Sequence, residues 1–245
     1  MLENFLKDSI IVDENKSIIK QDTINRLLYN IELAYNKLQE ENPDKPGKKW
    51  RNNNDIIPFA RGNNKLPQST YIVNLGCSSL CPGRALGTCS NCNICYAMKA
   101  ENQYKESTLL YRLLQTLRWR NLKAKTIADG LLKTSENAKV HKMKYLRLNE
   151  AGDVFEQKDI KKMSKIADLL AKEDIGTYTY TSRYDLDWSK SSKNLIVNGS
   201  GFMVDNQFQT CKKHNDTMMY KCHGDCDICD NCKSAKGITI YVEEH

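Results

Sequence analysis

No stretch of this chain approaches the roughly 18 apolar residues of a membrane span, so no transmembrane helix is expected. Its first residues, Met1 to Asp8, lack a basic segment followed by an apolar core. A secretory leader is therefore not expected, and the protein is placed in the cytoplasm. There is no G-x-x-x-x-G-K-[ST] loop, which leaves P-loop nucleotide hydrolysis without support. There is no G-x-S-x-G elbow and no H-E-x-x-H helix either. Internal repeats and low-complexity tracts are also missing. Finally, no cysteine lies outside two tight groups.

Those two groups hold all ten cysteines. The first is Cys77, Cys81, Cys89, Cys92 and Cys95. The second is Cys211, Cys222, Cys226, Cys229 and Cys232. Each contains a C-x2-C-x2-C run, Cys89–Cys92–Cys95 and Cys226–Cys229–Cys232. Thiolates at such spacing converge on one metal, because a short turn brings neighbouring sulfurs within ligand distance. The competing use, a disulfide framework, belongs to oxidising compartments and to chains too small for a core of their own. A chain of 245 residues buries its own core, and cytosolic thiols stay reduced. The expected occupants are an iron–sulfur cluster, of [4Fe–4S] type, or zinc. Among the four histidines, His223 beside Cys222 is a possible further ligand, with an exposed or supporting place as the alternative. His141, among lysines, reads as surface.

The net charge of +7 is unevenly spread. Between Tyr96 and Tyr145 there are 11 Lys or Arg against 4 Asp or Glu. Arg112, Arg118, Arg120, Lys123 and Lys125 lie on a strongly helical stretch, 109–132. They are read either as a solvated helix face or as a surface for the phosphates of DNA or RNA. Tyr111 and Trp119 beside them either stack on bases or pack.

Residues 1 to about 41 read as mostly helical, with Asp22 as N-cap for Thr23–Glu41. Ile24, Leu27, Leu28, Ile31, Tyr35 and Leu38 form its apolar stripe. A polar loop follows to Lys65. This divides the chain into a helical extension and linker, 1–65, and a main domain, 66–245. In the latter, strands are expected at Tyr71–Leu75, Tyr145–Leu148, Tyr178–Thr181, Leu195–Val197, Phe202–Val204 and Ile238–Val242. Helices are expected at 109–132 and Asp159–Lys172. Strand–helix alternation implies right-handed crossovers and a parallel sheet. The fold class is therefore α/β, a partial or open parallel (β/α) barrel-like fold with a Cys-rich C-terminal metal-binding segment, 211–232.

Active sites in parallel α/β folds form beyond the carboxyl ends of the strands. Here those ends carry Gly76-Cys77, then Asn149 to Asp153, Thr181-Ser182-Arg183, Asn198-Gly199-Ser200 and Asp205-Asn206-Gln207. They are almost all polar or small, which describes one polar mouth. Gly76, Gly152, Gly176, Gly199 and Gly201 are expected to let backbone approach a ligand. The candidates are Glu150, Asp153 and Arg183 for catalysis, and Asn149, Ser182, Asn198 and Ser200 for cofactor binding. The plainer reading of the carboxylate pair is a helix N-cap or a partner for Arg183. The loop 77–95 hangs over this mouth, as a catalytic iron–sulfur site with an open iron position requires. The second group reads as a closed, structural site, with Cys211 as a substitute ligand.

Several of these motifs resemble the phage gene product 88 family. They are Cys81-Pro82-Gly83, the run Cys89 to Cys95-Tyr96-Ala97, Arg147 to Phe155, Tyr178 to Arg183, and the cysteine-rich end. The resemblance covers roughly residues 69 to 235. The Cys-Tyr-Ala signature is similar to that of phage-borne families regarded as distant relatives of radical S-adenosylmethionine enzymes. It implies a [4Fe–4S] cluster on the loop after the first barrel strand. The amino group of S-adenosylmethionine would then fall to Asn149, Glu150 and Asp153. The usual C-x3-C-x2-C spacing is absent from that loop, since position 84 is Arg84. The literal match, Cys222, Cys226 and Cys229, has too little chain after it for a barrel. The resemblance itself names no reaction. Two functions follow as expectations. One is an iron–sulfur enzyme acting on nucleic acid or a nucleotide-derived substrate. The other is a non-enzymatic zinc protein that binds nucleic acid.

Overall fold

Leu28, Ile31, Ala34, Tyr35 and Leu38 recur at three and four residues, and that spacing builds the first helix, α1 (Gln21–Glu41). Asn42 closes it by donating from Nδ2 to the Leu38 carbonyl at 2.9 Å. The computed structural model describes residues 21–45, 50, 52–90 and 92–243, without the side chains of residues 21–24, 27, 105 and 106. The helical reading of residues 1–20 and the stripe positions Ile24 and Leu27 lie outside what is described.

Eight strands and seven helices follow one another among the described residues. The strands are β1 (Ala60–Arg61), β2 (Thr70–Val73), β3 (Tyr145–Leu148), β4 (Gly176–Thr181), β5 (Leu195–Ser200), β6 (Asn206–Cys211), β7 (Tyr220–Cys222) and β8 (Thr239–Glu243). They form one sheet in the order β1-β2-β3-β4-β5-β6-β8-β7. Only β1 pairs antiparallel; every other pairing is parallel. The pairings leave β1 and β7 as edges.

Between β2 and β3 lie α2 (Pro82–Ala85), α3 (Tyr96–Gln103), α4 (Leu110–Asn121) and α5 (Ala124–Glu136). Helix α6 (Gln157–Leu170) joins β3 to β4, and α7 (Asn231–Ser234) precedes β8. Leu146, Leu148, Leu195 and Val197 of the strands meet Ile127, Ala128 and Leu131 of α5 and Ile160, Met163, Ile166 and Leu170 of α6. Each such large aliphatic contributes about 1.5–3 kcal/mol by leaving water. A second cluster joins α1, α4 and the cysteine loop through Ile31, Tyr35, Cys77, Leu80, Leu110, Leu113, Leu114 and Phe155. Helix α1 and the segment with Ile57 and Phe59 thus pack into the same body as residues 66–243.

Two expectations change. The stretch 109–132 is not one helix: Leu122 and Lys123 are extended, and α4 ends before them. The Lys162 ammonium donates to the carbonyls of Trp119 and Leu122 and so satisfies that helix end. Phe202–Val204 is a loop rather than a strand. Asp205 folds it back on β5, its N–H donating to Val197 O at 3.1 Å and its Oδ2 accepting from Val197 N at 2.9 Å. Strand β6 begins after it and overlaps β5 by only three residues, so a short loop suffices between parallel neighbours. No helix among the described residues is long and apolar enough to cross a membrane.

Candidate functional site

The first cysteine loop leaves the carboxyl end of β2 and is pinned from below by a buried ion pair. Glu101 of α3 accepts from the backbone N–H groups of Ser78 and Ser79 at 2.8 and 3.2 Å. Arg112 of α4 donates to Glu101 at 2.8 Å and to the Ala97 carbonyl at 3.0 Å. Cys77 is fully buried in the apolar cluster beneath, within 3.2 Å of the Ser79 hydroxyl. Burial, then the Glu101 charge, pushes its thiol up to about 12.

The other four thiols of the group have different neighbours. Cys81 is raised by burial first, then by Asp153, Cys89 and Cys92. Cys92 is pushed up to about 12, again by burial first, then by the hydrogen bond and charge of Cys89, with Cys95 adding to it. Cys81 thus lies in the field of Cys89 and Cys92, and Cys92 in that of Cys89 and Cys95. The cysteines are not joined in disulfides. Among the described residues, no three Cys, His, Asp or Glu side chains already stand as a closed ligand set.

The loop is keyed onto the neighbouring strand ends. Asp153 Oδ1 accepts from Val154 N at 2.7 Å and Thr181 Oγ1 at 2.8 Å. Its Oδ2 accepts from Ser182 N at 2.7 Å and Ser182 Oγ at 2.9 Å. Burial pushes this carboxyl up, against those four bonds. Gly83 packs over the pair so closely that a Cβ there would lie 2.3 Å from Ser182 Oγ and 3.5 Å from Asp153 Oδ2. Gly152, at φ +71, lies against the backbone of Gly76; a Cβ there would fall 2.7 Å from its carbonyl oxygen. That close approach is to the protein's own chain, not to a ligand.

The remaining candidates divide in the same way. Asn149, at φ +62, accepts at Oδ1 from Leu75 N at 3.3 Å, while its buried Nδ2 has no partner. Glu150 is half-buried; its Oε1 accepts from Asn63 at 2.6 Å, and its carbonyl accepts from the Tyr96 hydroxyl. Arg183, 0% exposed, binds Asp185 through Nε at 2.7 Å and Nη2 at 2.6 Å, and gives Nη1 to the carbonyls of Val154 and Phe155. Its carboxylate partner is Asp185, two residues away in the chain. Ser200 ends β5 opposite Phe208.

Asn198 serves the second cysteine group. Its Nδ2 donates to Cys232 O at 2.9 Å and Thr179 O at 3.1 Å, and its Oδ1 accepts from Asn206 at 3.2 Å. Asn206 in turn holds the Ala235 carbonyl at 2.8 Å. Lys233 donates to Cys226 O, and Cys226 N donates to Lys65 O. The segment is thereby laid across the face of the sheet opposite α5 and α6. Cys222, Cys226, Cys229 and Cys232 influence one another there, and burial raises Cys232 to about 11. With Tyr178, Tyr180 and His223 they line a cavity of about 270 Å³.

Of the five basic residues read as a phosphate surface, two are internal. Arg112 is buried against Glu101, and Arg120 is buried against Glu156 at 3.1 Å and Asp159 at 2.9 Å. Arg118 is half-buried, and Trp119 is a core residue that donates to Asp159. Lys123 and Lys125 are exposed, and Lys125 pairs with Asp129.

The gene product 88 family model matches residues 34–220. The chain belongs to the phage gene product 88 family. The match takes in the C-terminal part of α1, from residue 34, which the motifs had left outside, and it stops before Cys222. Within it fall the whole first cysteine group and the strand ends of β2–β5. Comparison with curated proteins gives no match, nor does comparison with solved structures.

Residue types alone missed the parts that position this gene product 88 site: Gly83, the Glu101–Arg112 pair and the inward side chains Arg147, Tyr178 and Tyr180. One signal was present. In Tyr145-Leu146-Arg147-Leu148 the charged residue alternates with apolar ones, which places Arg147 on the face opposite the main core.

Proposed function

We propose that this protein is an iron–sulfur enzyme whose cluster is held by the first cysteine loop over the carboxyl ends of β2–β5. The observation that carries this reading is the gathering of Cys81, Cys89, Cys92 and Cys95 on one loop above Asp153 and Ser182. Cys81 and Cys92 in this half-buried loop resist ionisation, and a bound metal reverses that by stabilising the thiolates. The donor set is all-sulfur, which suits iron–sulfur or zinc rather than a hard cation. Cys77 lies apart in the core. Strands β2 to β6 also follow one another in the sheet in chain order, without reversal, as in a singly wound, partial barrel.

When bound, such a cluster supplies one electron to a cofactor, and the resemblance names S-adenosylmethionine. The protein's own contribution is positional. Asp153, held by four donors, fixes the end of β4 against the loop. Asn149 and Glu150 then carry the polar groups best placed to meet a cofactor, with Ser182 and Arg183 supporting the wall behind them. The substrate class we assign is nucleic acid or a nucleotide-derived molecule. The second group, tied down by Asn198 and Asn206, serves as a structural centre.

Anaerobic purification with iron, sulfide and zinc analysis and a visible spectrum tests this directly. Brown protein with a broad sulfur-to-iron charge-transfer band is expected. Colourless protein holding only stoichiometric zinc would sink the reading. It would leave a non-enzymatic zinc protein that binds nucleic acid in its place.

A further inference from the structure

On the inner face of the sheet, between the two cysteine groups, several buried hydrogen-bonding groups have no partner among the described residues. Arg112, Arg120 and Arg183 are each paired with carboxylates. Arg147 is not: no carboxylate is within ion-pair distance of it among the described residues. Its guanidinium lies 5.0 Å above the Tyr180 ring, with its buried Nε unpartnered. Tyr178, opposite it on β4 and 1% exposed, has a buried hydroxyl with no partner and lines the cavity. Asn149 Nδ2, two residues along β3, is a third unpartnered donor, and Tyr111, in the field of Glu150, offers a fourth.

Leaving buried donors without acceptors is costly, and a half-buried cation with no ion-pair partner, only the more distant charge of Glu150, adds to that cost. An acceptor-rich, negatively charged ligand removes both costs at once. We infer that Arg147 and Tyr178, with Asn149 at the rim, bind an oxyanion, a phosphate or carboxylate group of the substrate. The fork of Arg147 reads such a group by two parallel bonds. This places the substrate's anionic end on the inner wall. It rests on the enzyme reading above only for its part in catalysis.

The test is calorimetric titration of the full chain, purified anaerobically, with four probes: inorganic phosphate, a nucleoside 5′-monophosphate, the uncharged nucleoside and malonate. An oxyanion should bind, more weakly as salt rises, and the nucleoside should not. Phosphate binding with no malonate binding would identify a phosphate site, and the converse a carboxylate site. Arg147→Gln should weaken binding at least ~10-fold, a charged hydrogen bond's worth, with Arg147→Lys intermediate. Tyr178→Phe removes only a hydroxyl and keeps the test meaningful should Arg147→Gln misfold; it should weaken binding several-fold. Unchanged affinity in both variants, or no heat from any oxyanion, would overturn the inference. So would an Arg147→Gln protein that loses its C-terminal metal but binds anions normally, since the cation would then serve the metal–thiolate charge. Metal content separates this inference from the enzyme reading. Iron-free protein that still binds phosphate through Arg147 keeps the anion site and sinks the cluster. Brown protein that ignores every oxyanion does the reverse.

Discussion

Gly83 shows how little room the cysteine loop has. A methyl group there would lie 2.3 Å from the Ser182 hydroxyl, itself held by Asp153. Gly83→Ala should therefore cost about 1–3 kcal/mol through overpacking. Ser182→Ala alone should also destabilise, by one charge-assisted hydrogen bond, about 1.5–3 kcal/mol. Together the two changes should cost less than their sum, because the second removes the atom the first collides with. Urea denaturation of reduced protein in chelator measures the cycle, and strict additivity would mean that the loop does not touch Ser182 in solution. Cys77 makes a contrasting case at the same scale. Its thiol belongs to the apolar cluster of Leu80 and Leu110, so Cys77→Ala should leave the metal content unchanged while Cys92→Ser lowers it. Equal metal loss in the two would put Cys77 among the ligands. Spacing alone admitted all five cysteines as equals. What separates Cys77 is its burial in that cluster above the Glu101–Arg112 pair, two residues that follow well downstream of the loop.

Among the elements, α4 departs most from its sequence reading. Its charges looked like a surface for phosphates, yet Arg112 and Arg120 are internal struts. Arg112→Met would leave Glu101 buried beside the Ser78 and Ser79 N–H groups with its cation gone. That should cost about 3–5 kcal/mol, and adding Glu101→Gln should recover part of it. Guanidinium midpoints of the single and double variants decide; an additive double variant would mean that the pair is not formed. Lys123 and Lys125, at the start of α5, remain exposed, and the two supply at most two strong phosphate contacts. If nucleic acid binds here, Lys123→Gln with Lys125→Gln should flatten the log–log salt slope by no more than about 1.8. A larger change would mean that phosphate contacts beyond these two side chains are lost with them. Apolar alternation and 3.6-residue periodicity did mark β3, β4, β5 and α6 closely. They failed at β6, Asn206–Cys211, whose polar face meets the cysteine segment instead of the core. They failed also at β1 and β7, which are too short to carry a pattern.

At the scale of the molecule, the two cysteine groups lie in different relations to one sheet, and this sets what each does for stability. The first crosses the carboxyl ends of the strands on a loop whose anchors, Glu101, Arg112 and Asp153, are independent of any metal. The second is drawn across the inner face by backbone contacts to Asn198, Asn206, Lys233 and Lys65. Its four thiols are half-buried and line the cavity there. Metal bound there contributes folding free energy directly, since unfolding releases it. Cys226→Ser with Cys229→Ser should therefore lower the melting midpoint. A loss of about 3 kcal/mol corresponds to roughly 6–12 °C in a chain of this size. Cys92→Ser with Cys95→Ser should abolish the visible band yet move the midpoint by only a few degrees, because the loop keeps its polar anchors. Chelator added to the wild type should reproduce the first shift and add nothing to the C-terminal variant. Melting curves of all three, read beside metal content, decide the division. A C-terminal variant that melts as the wild type does, but has lost activity, would reverse the two roles and make the inner-face group the reactive one.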